Sequence, residues 1–245
     1  MLLKSINEDD LLIWACRNNH IDVLKLLLKS GVNINIQNEY GKTALMYACR
    51  NGHEEIVKLL LQHGANINIQ DECGRTALIL ACEYGSIEIV ELLLQHNSDI
   101  NIQDEDDKTA LMYACRGGHE EIVKLLLQHG ANVNIKDKYG NTALMIAFKN
   151  DYRNIVKILL QHKKNIDPEN KEDILTIIKE YMDTEIYDDD NNLVNIIEML
   201  IDYIKERTSA SGMQLKHLDF DHVDRPRRSA VRIKHKKIVQ MKYIL

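Results

Sequence analysis

Long apolar runs are missing from this sequence. None of its 245 residues lies in a stretch that approaches the roughly 20 apolar residues needed to cross a bilayer. The segment from Met1 to Leu12 also lacks the basic start and the apolar core of a secretory signal. We therefore expect no membrane association and a cytoplasmic protein, with the nucleus as the alternative compartment.

Cysteine is scarce, and the odd number of five does not suit a disulfide framework. Four of the five recur at a constant interval of 33 in the numbering: Cys16, Cys49, Cys82 and Cys115. This spacing predicts a repeated core position in a reducing compartment. Cys73 lies off the spacing, and we expect an exposed thiol there.

Features of catalytic and metal sites are equally sparse. Phosphate-binding loops of the Gly-x-x-x-x-Gly-Lys type are absent. Cys49 and His53 are close in sequence, as a nucleophile and its base can be, but the repeat explains this pair. Four histidines share the same interval of 33, namely His63, His96, His129 and His162. Units of a helical stack lie roughly 10 Å apart, whereas zinc needs ligand atoms within about 2.3 Å. We therefore predict no catalytic residue, no metal site and no cofactor.

The sequence contains an internal repeat. The string Thr-Ala-Leu begins at Thr43, Thr76, Thr109 and Thr142, so it returns with a period of 33. Segments 43–69 and 109–135 differ only at Asn51/Gly117 and Ile67/Val133. A period in this range is typical of stacked repeat architectures.

Each unit is predicted to form two short antiparallel helices and an extended finger. Thr43 is a candidate N-cap, and Asn51-Gly52 should end the first helix. The second helix, from about His53 to His63, carries apolar residues at helical spacing, and Gly64 should stop it. The alternating Asn66–Ile69 segment is predicted to be extended.

The strings Gly-x-Thr-Ala-Leu-Met-x-Ala-Cys, Gly-His-x-x-Ile-Val-x-Leu-Leu-Leu and Gly-Ala-Asn-x-Asn, as they stand from Gly41 to Asn68, resemble the ankyrin-repeat family. The resemblance implies an all-α solenoid of helix-turn-helix units with β-hairpin fingers. Five units are expected within 1–169, at 5–37, 38–70, 71–103, 104–136 and 137–169. The family's Thr-Pro-Leu-His is altered here to Thr-Ala-Leu-Met or Thr-Ala-Leu-Ile, and Asp107, Asn97 and Lys163 replace turn glycines.

The remaining third has a different composition. Helical spacing in 170–207 predicts a divergent capping helix pair, which is strongly acidic. Residues 208–245 are basic, and we expect this tail to be disordered; nuclear import, RNA binding and docking on the acidic pair are the alternatives.

The resemblance implies a non-enzymatic scaffold or adaptor, expected to be a monomer, that binds a protein of unknown identity on its concave finger and first-helix surface. A nuclear or nucleic-acid-associated factor that uses tail residues 225–242 is the alternative. The positions matching that surface are Glu39, Tyr40, Lys42, Arg50, Asn51, Glu72, Cys73, Arg75, Glu83, Tyr84, Glu105, Asp106, Lys108, Arg116, Lys138, Tyr139, Asn141 and Lys149.

Two of these positions follow from the near-identity of units two and four. Arg50 and Arg116 repeat one local surface at a separation of roughly 20 Å, two helix-pair widths. This duplication suggests an extended or repeated acidic partner as a hypothesis.

Overall fold

A computed structural model of the chain describes residues 8–162; the predicted capping pair and basic tail lie outside the described residues, as does Lys163. Residues 8–162 form ten α-helices and contain no strand. In chain order these are α1 (Glu8–Arg17), α2 (Ile21–Ser30), α3 (Ala44–Arg50), α4 (Glu54–Gln62), α5 (Ala77–Glu83), α6 (Ile87–Gln95), α7 (Ala110–Gly117), α8 (Glu120–Gln128), α9 (Ala143–Lys149) and α10 (Arg153–Gln161).

The odd-numbered first helices after α1 begin at the repeated threonines. Thr43 is extended at φ -89° and ψ 166°, and its Oγ1 accepts a 3.3 Å hydrogen bond from Met46 N. Met46 Sδ accepts in turn from Thr43 N at 3.4 Å, so the thioether completes a reciprocal cap where the family carries histidine. Thr76 and Thr142 accept equivalent bonds from the helix. The N-cap prediction is therefore confirmed at these three positions.

The second helices α2, α4, α6 and α8 are each followed by a residue in the left-handed conformation. Gly64 has φ +81°, in the region that glycine adopts at least cost. Asn97 after α6 and Asp107 in the fourth finger take up positive φ at 59° without being glycine, as their positions in the repeat predict. These substitutions preserve the turns.

The core lies between the two layers of helices. Successive first helices pack against one another from α1 through α9, and each first helix from α1 to α7 packs on the second helix of its own pair. The repeated thiols of Cys16, Cys49, Cys82 and Cys115 have no exposed surface, which confirms their predicted core position. Residues 8–158 belong to one compact unit, and this unit carries the surface described below.

The loop between helix pairs differs from the expectation. Asn66–Ile69 was predicted to be extended, but Ile67 and Asn68 form a turn in which Asn68 N donates to Asn66 Oδ1 at 3.1 Å. The prediction of an extended segment was wrong because the alternation has another cause: Ile67 is buried while the asparagine side chain closes an Asx turn. The fingers are likewise closed by turns, without strand pairing among the described residues.

Candidate functional site

Each finger is built around an Asx side chain, which is half-buried in the first finger and buried in the other three. Asp71 Oδ1 accepts from Cys73 N at 3.0 Å and Arg75 N at 2.9 Å, and Gly74 N closes the turn on Asp71 O at 2.8 Å. The same arrangement recurs at Asn38, Asp104 and Asp137. These four residues were missed in the sequence, although an Asx residue that recurs with the period of the repeat before a turn is the signal that identifies them.

Backbone hydrogen bonds join each finger to the next. Glu72 N donates to Tyr40 O at 3.1 Å, Glu105 N to Cys73 O at 3.0 Å, and Lys138 N to Asp106 O at 3.0 Å. Gln37 Nε2 adds a bridge by donating to Gly41 O in its own finger and to Gln70 O in the following one. The finger tips are therefore held in register as one row.

We call the finger tips and the exposed ends of the first helices the interaction face. Eleven of the sequence-predicted residues on it are exposed: Glu39, Tyr40, Arg50, Asn51, Glu72, Tyr84, Glu105, Arg116, Lys138, Tyr139 and Lys149. Six are half-buried: Lys42, Arg75, Glu83, Asp106, Lys108 and Asn141. Cys73 is an exposed free thiol, as its position off the repeat predicts.

Three tyrosines present large exposed rings on this face. Tyr40 is 56% exposed, Tyr84 47% and Tyr139 68%. The Arg50 guanidinium lies over the Tyr84 ring at 5.3 Å, and Lys138 lies over Tyr139 at 5.3 Å. Such contacts hold long cationic side chains against an aromatic surface.

The first helix pair adds residues that sequence reasoning did not select. Arg17 lies over the Tyr47 ring at 5.6 Å, so the first helix pair also has an arginine held against a tyrosine ring, although Tyr47 lies within α3 and Tyr84 follows α5. Trp14 is 47% exposed and stacks on His20 at 4.5 Å between ring centroids. Arg17 and Arg50 share a repeat position, and the interval of 33 is the signal that links them.

The third unit neutralises its own cation. Arg75 Nη2 lies 3.2 Å from Asp71 Oδ2, and Arg75 Nη1 lies 3.7 Å from Glu83 Oε2. Glu83 stands at the helix-end position that Arg17, Arg50 and Arg116 occupy in other units. The middle of the interaction face therefore carries a cluster of one cation and two carboxylates.

Asp106 performs a similar role in the fourth finger. It lies 2.7 Å from Lys108 Nζ and also pairs with Lys138 of the next finger. Hydrogen bonds from Lys108 and Lys138 lower the pKa of Asp106 to about 2. This carboxylate therefore stays ionised in neutral solution and partly neutralises both lysines.

A cleft of about 300 Å³ opens on the interaction face between the fourth and fifth units. It is lined by Lys108, Met112, Tyr113, Arg116, Asp137, Asn141, Ile146, Lys149 and Asn150. Asp137 is 6% exposed and uses Oδ1 to hold its own finger. Tyr113 donates its hydroxyl to Asp104 at 2.6 Å. Arg116 and Lys149, which are exposed, are therefore the polar groups of this cleft that are best placed to meet a ligand.

The repeated histidines have structural partners. The Nδ1 atoms of His63, His96 and His129 lie 2.8, 2.8 and 2.9 Å from the carbonyl oxygens of Leu59, Leu92 and Leu125. Because a carbonyl oxygen only accepts, Nδ1 carries the proton in each. Within residues 8–162 no three His, Cys, Asp or Glu side chains converge in a way that could hold a metal ion. In the same stretch of chain, no helix is long and apolar enough to cross a membrane.

Repeated helix pairs joined by fingers in register define a helical repeat protein. The family model "Ankyrin repeats (3 copies)" matches residues 12–104 and 95–172, which together make up more than half of the sequence. The chain therefore belongs to the ankyrin-repeat family. Ankyrin repeats generally mediate protein–protein interaction and are typically non-enzymatic. No curated protein matches the sequence.

Proposed function

We propose that the protein is a non-enzymatic scaffold or adaptor that binds a partner protein on the interaction face. The row of fingers, fixed by hydrogen bonds from Glu72 N, Glu105 N and Lys138 N, is the observation that carries this proposal. A surface that is already ordered loses little conformational entropy when it binds. We further propose that the protein acts as a monomer in the cytoplasm.

The exposed aromatic and arginine side chains are the proposed anchors. Tyrosine and arginine are enriched among residues that dominate binding energy, because each buries a large area with few rotatable bonds or forms several hydrogen bonds. Tyr40, Tyr84 and Tyr139 on the fingers and helix ends, with Arg50 and Arg116, meet this description. We expect each anchor to contribute about 1–2 kcal/mol or more to binding.

Affinity capture from the cell of origin tests the proposal. The full-length chain is immobilised beside a Tyr40→Ala/Tyr139→Ala variant of the interaction face. A Glu55→Ala/Glu88→Ala variant serves as control, because both glutamates are exposed on second helices. Circular dichroism melts establish that all three chains are folded.

The expected result is a protein that the wild type and the control retain and the tyrosine variant loses. Loss with the second-helix variant but not with the tyrosine variant would place the partner elsewhere and overturn the proposal. A wild-type chain that enriches no protein would overturn it as well.

A further inference from the structure

The ends of the first helices carry a repeated charge. With the period of 33, this position is occupied in turn by Arg17, Arg50, Glu83, Arg116 and Lys149. Four of the five are cations, in a chain whose formal net charge is -6. The interaction face therefore carries basic positions that the overall composition does not suggest.

The cations of the interaction face differ in whether a carboxylate of the protein neutralises them. Arg75, Lys108 and Lys138 form ion pairs with carboxylates, namely those of Asp71 and Asp106. Between Glu8 and His162, by contrast, no carboxylate lies within ion-pair distance of the four helix-end cations, which are Arg17, Arg50, Arg116 and Lys149. Tyrosine rings hold Arg17 and Arg50, and Lys149 Nζ donates to Asn141 Oδ1 at 2.8 Å. Their positive charges remain for a partner to meet.

The unneutralised cations form two groups. The first contains Arg17 and Arg50; the second contains Arg116 and Lys149, which line the 300 Å³ cleft together with Lys108. Glu83, held by Arg75, lies between the groups. Arg50 and Arg116 are two units apart, or roughly 20 Å by the width of packed helices.

We propose that the segment of the partner bound here is an extended acidic peptide with two carboxylate-rich patches and an uncharged stretch between them. The inference rests on the proposed function and names the chemistry of its partner. One acidic patch binds Arg116 and Lys149 in the cleft, and the other binds Arg17 and Arg50. At about 3.3 Å per extended residue, the separation of roughly 20 Å corresponds to about six residues.

The acidic groups of the face favour a peptide over a nucleic acid. Glu39, Glu72 and Glu105 are exposed at the finger tips, and Glu83 interrupts the row of cations. A nucleic acid strand carries one negative charge on every phosphate, so it would bring phosphates against these carboxylates. A peptide can place uncharged side chains opposite Glu83 and avoid that repulsion.

Fluorescence anisotropy of the full-length chain with labelled synthetic peptides tests the inference. The first peptide has two triplets of glutamate separated by six Gly/Ser/Gln residues; in the second, glutamine replaces every glutamate; the third is glutamate throughout. We expect the first peptide to bind at least tenfold tighter than the second, with an affinity that falls as salt rises.

Matched variants locate the site. Arg116→Gln should weaken binding of the first peptide at least fivefold. Lys124→Gln removes one positive charge from the second helix of the same unit and should change it less than twofold. Glu83→Gln should improve binding of the all-glutamate peptide more than that of the first peptide, because it removes the repulsive position.

Several results would overturn the inference. Equal effects of Arg116→Gln and Lys124→Gln would indicate nonspecific charge attraction, and tighter binding of single-stranded RNA that competes with the peptide would indicate a nucleic acid partner. Tenfold tighter peptide binding after Asp188, Asp189 and Asp190 are all changed to Asn would mean that the chain's own acidic segment, and not a partner's, is the ligand of the site. Capture of a partner that depends on Tyr40 and Tyr139, without peptide selectivity, would leave the proposed function standing and remove only this chemistry.

Discussion

The hydroxyl of Tyr113 donates a 2.6 Å hydrogen bond to Oδ2 of Asp104, which ties helix α7 to the finger of the same unit. In the near-identical second unit, the Tyr47 hydroxyl instead accepts from Asn38 Nδ2 at 3.0 Å. Tyr47 and Tyr113 are equally buried, at 8% exposure. The two units therefore place an equivalent tyrosine hydroxyl against an equivalent finger residue, which is charged in one unit and neutral in the other.

Tyr113→Phe should cost more stability than Tyr47→Phe. Hydrogen bonds to charged groups contribute about 1.5–3 kcal/mol and those between neutral groups about 0.5–1.5 kcal/mol, and phenylalanine preserves the packing of either ring. Urea denaturation of both variants at neutral pH measures the difference. Equal losses would contradict the role given to the Asp104 charge.

Alkaline solution should destabilise the repeats through their buried thiols. Burial raises the pKa of Cys16 to about 12 and raises the pKa values of Cys49, Cys82 and Cys115 still further. An unfolded thiol ionises near pH 8.5, so the stabilising contribution is complete below that pH and is lost as pH rises toward the folded pKa. Each buried thiol should therefore lower the free energy of unfolding by about 1.4 kcal/mol per pH unit above 8.5.

Between pH 8.5 and 10, Cys82→Ala should make the fall of the unfolding free energy with pH shallower by the contribution of one buried thiol. Urea denaturation under reducing conditions measures this fall. Cys73→Ala is the matched control, because Cys73 is exposed. A slope that responds equally to both substitutions would show that burial is not its cause.

Asparagine side chains link neighbouring units, and removing one should loosen a single link. Asn35 Oδ1 accepts from Asn66 N at 2.7 Å, and Asn68 and Asn101 accept equivalent bonds from Asp99 N and Asn132 N. Asn35→Ala should cost about 1 kcal/mol and speed hydrogen exchange at the Asn66 amide. Asn35→Asp retains an acceptor oxygen and should preserve most of that protection; equal exchange in the two variants would argue against the link.

Gly74 should tolerate alanine less well than Gly64 does. Both have positive φ, at 75° and 81°, so alanine brings backbone strain of about 1–2 kcal/mol at either position. A Cβ on Gly74 would also lie 2.8 Å from Glu105 N and 2.9 Å from Asp104 Cα, whereas one on Gly64 meets no atom within 4 Å. Gly74→Ala should therefore cost at least about 1 kcal/mol more in urea denaturation, because the next finger must shift. A smaller difference between the two stability losses would show that the next finger can shift at little energetic cost.

The sequence predicted the features whose causes are local. Thr43 as a helix cap and Gly64 as a helix end depend on residues within one turn of themselves, and both predictions are confirmed. The Asn66–Ile69 prediction failed because a two-residue alternation does not distinguish a strand from an Asx turn with one buried isoleucine. The repeated strings from Gly41 to Asn68 carried the resemblance to the family, and the period of 33 predicted the buried cysteines.

Side-chain pairings could not be predicted from the sequence. The Arg50–Tyr84 contact depends on how adjacent units are registered, and the Arg75–Glu83 ion pair within the third unit depends on which rotamers the long side chains adopt. Arg50 and Arg75 thus look alike as exposed cations in the sequence, although only Arg75 is neutralised. The binding role of all these residues stays a prediction.

The buried thiols also allow the local opening of each of the first four helix pairs to be followed by a chemical reaction. Cys16, Cys49, Cys82 and Cys115 occupy one equivalent place per pair, and a thiol there reacts only when its surroundings open. Exposed Cys73 reacts without any opening and so calibrates the reagent within the same molecule. Mass spectrometry of timed alkylation would thus rank the pairs by how often each opens, with no label or substitution introduced.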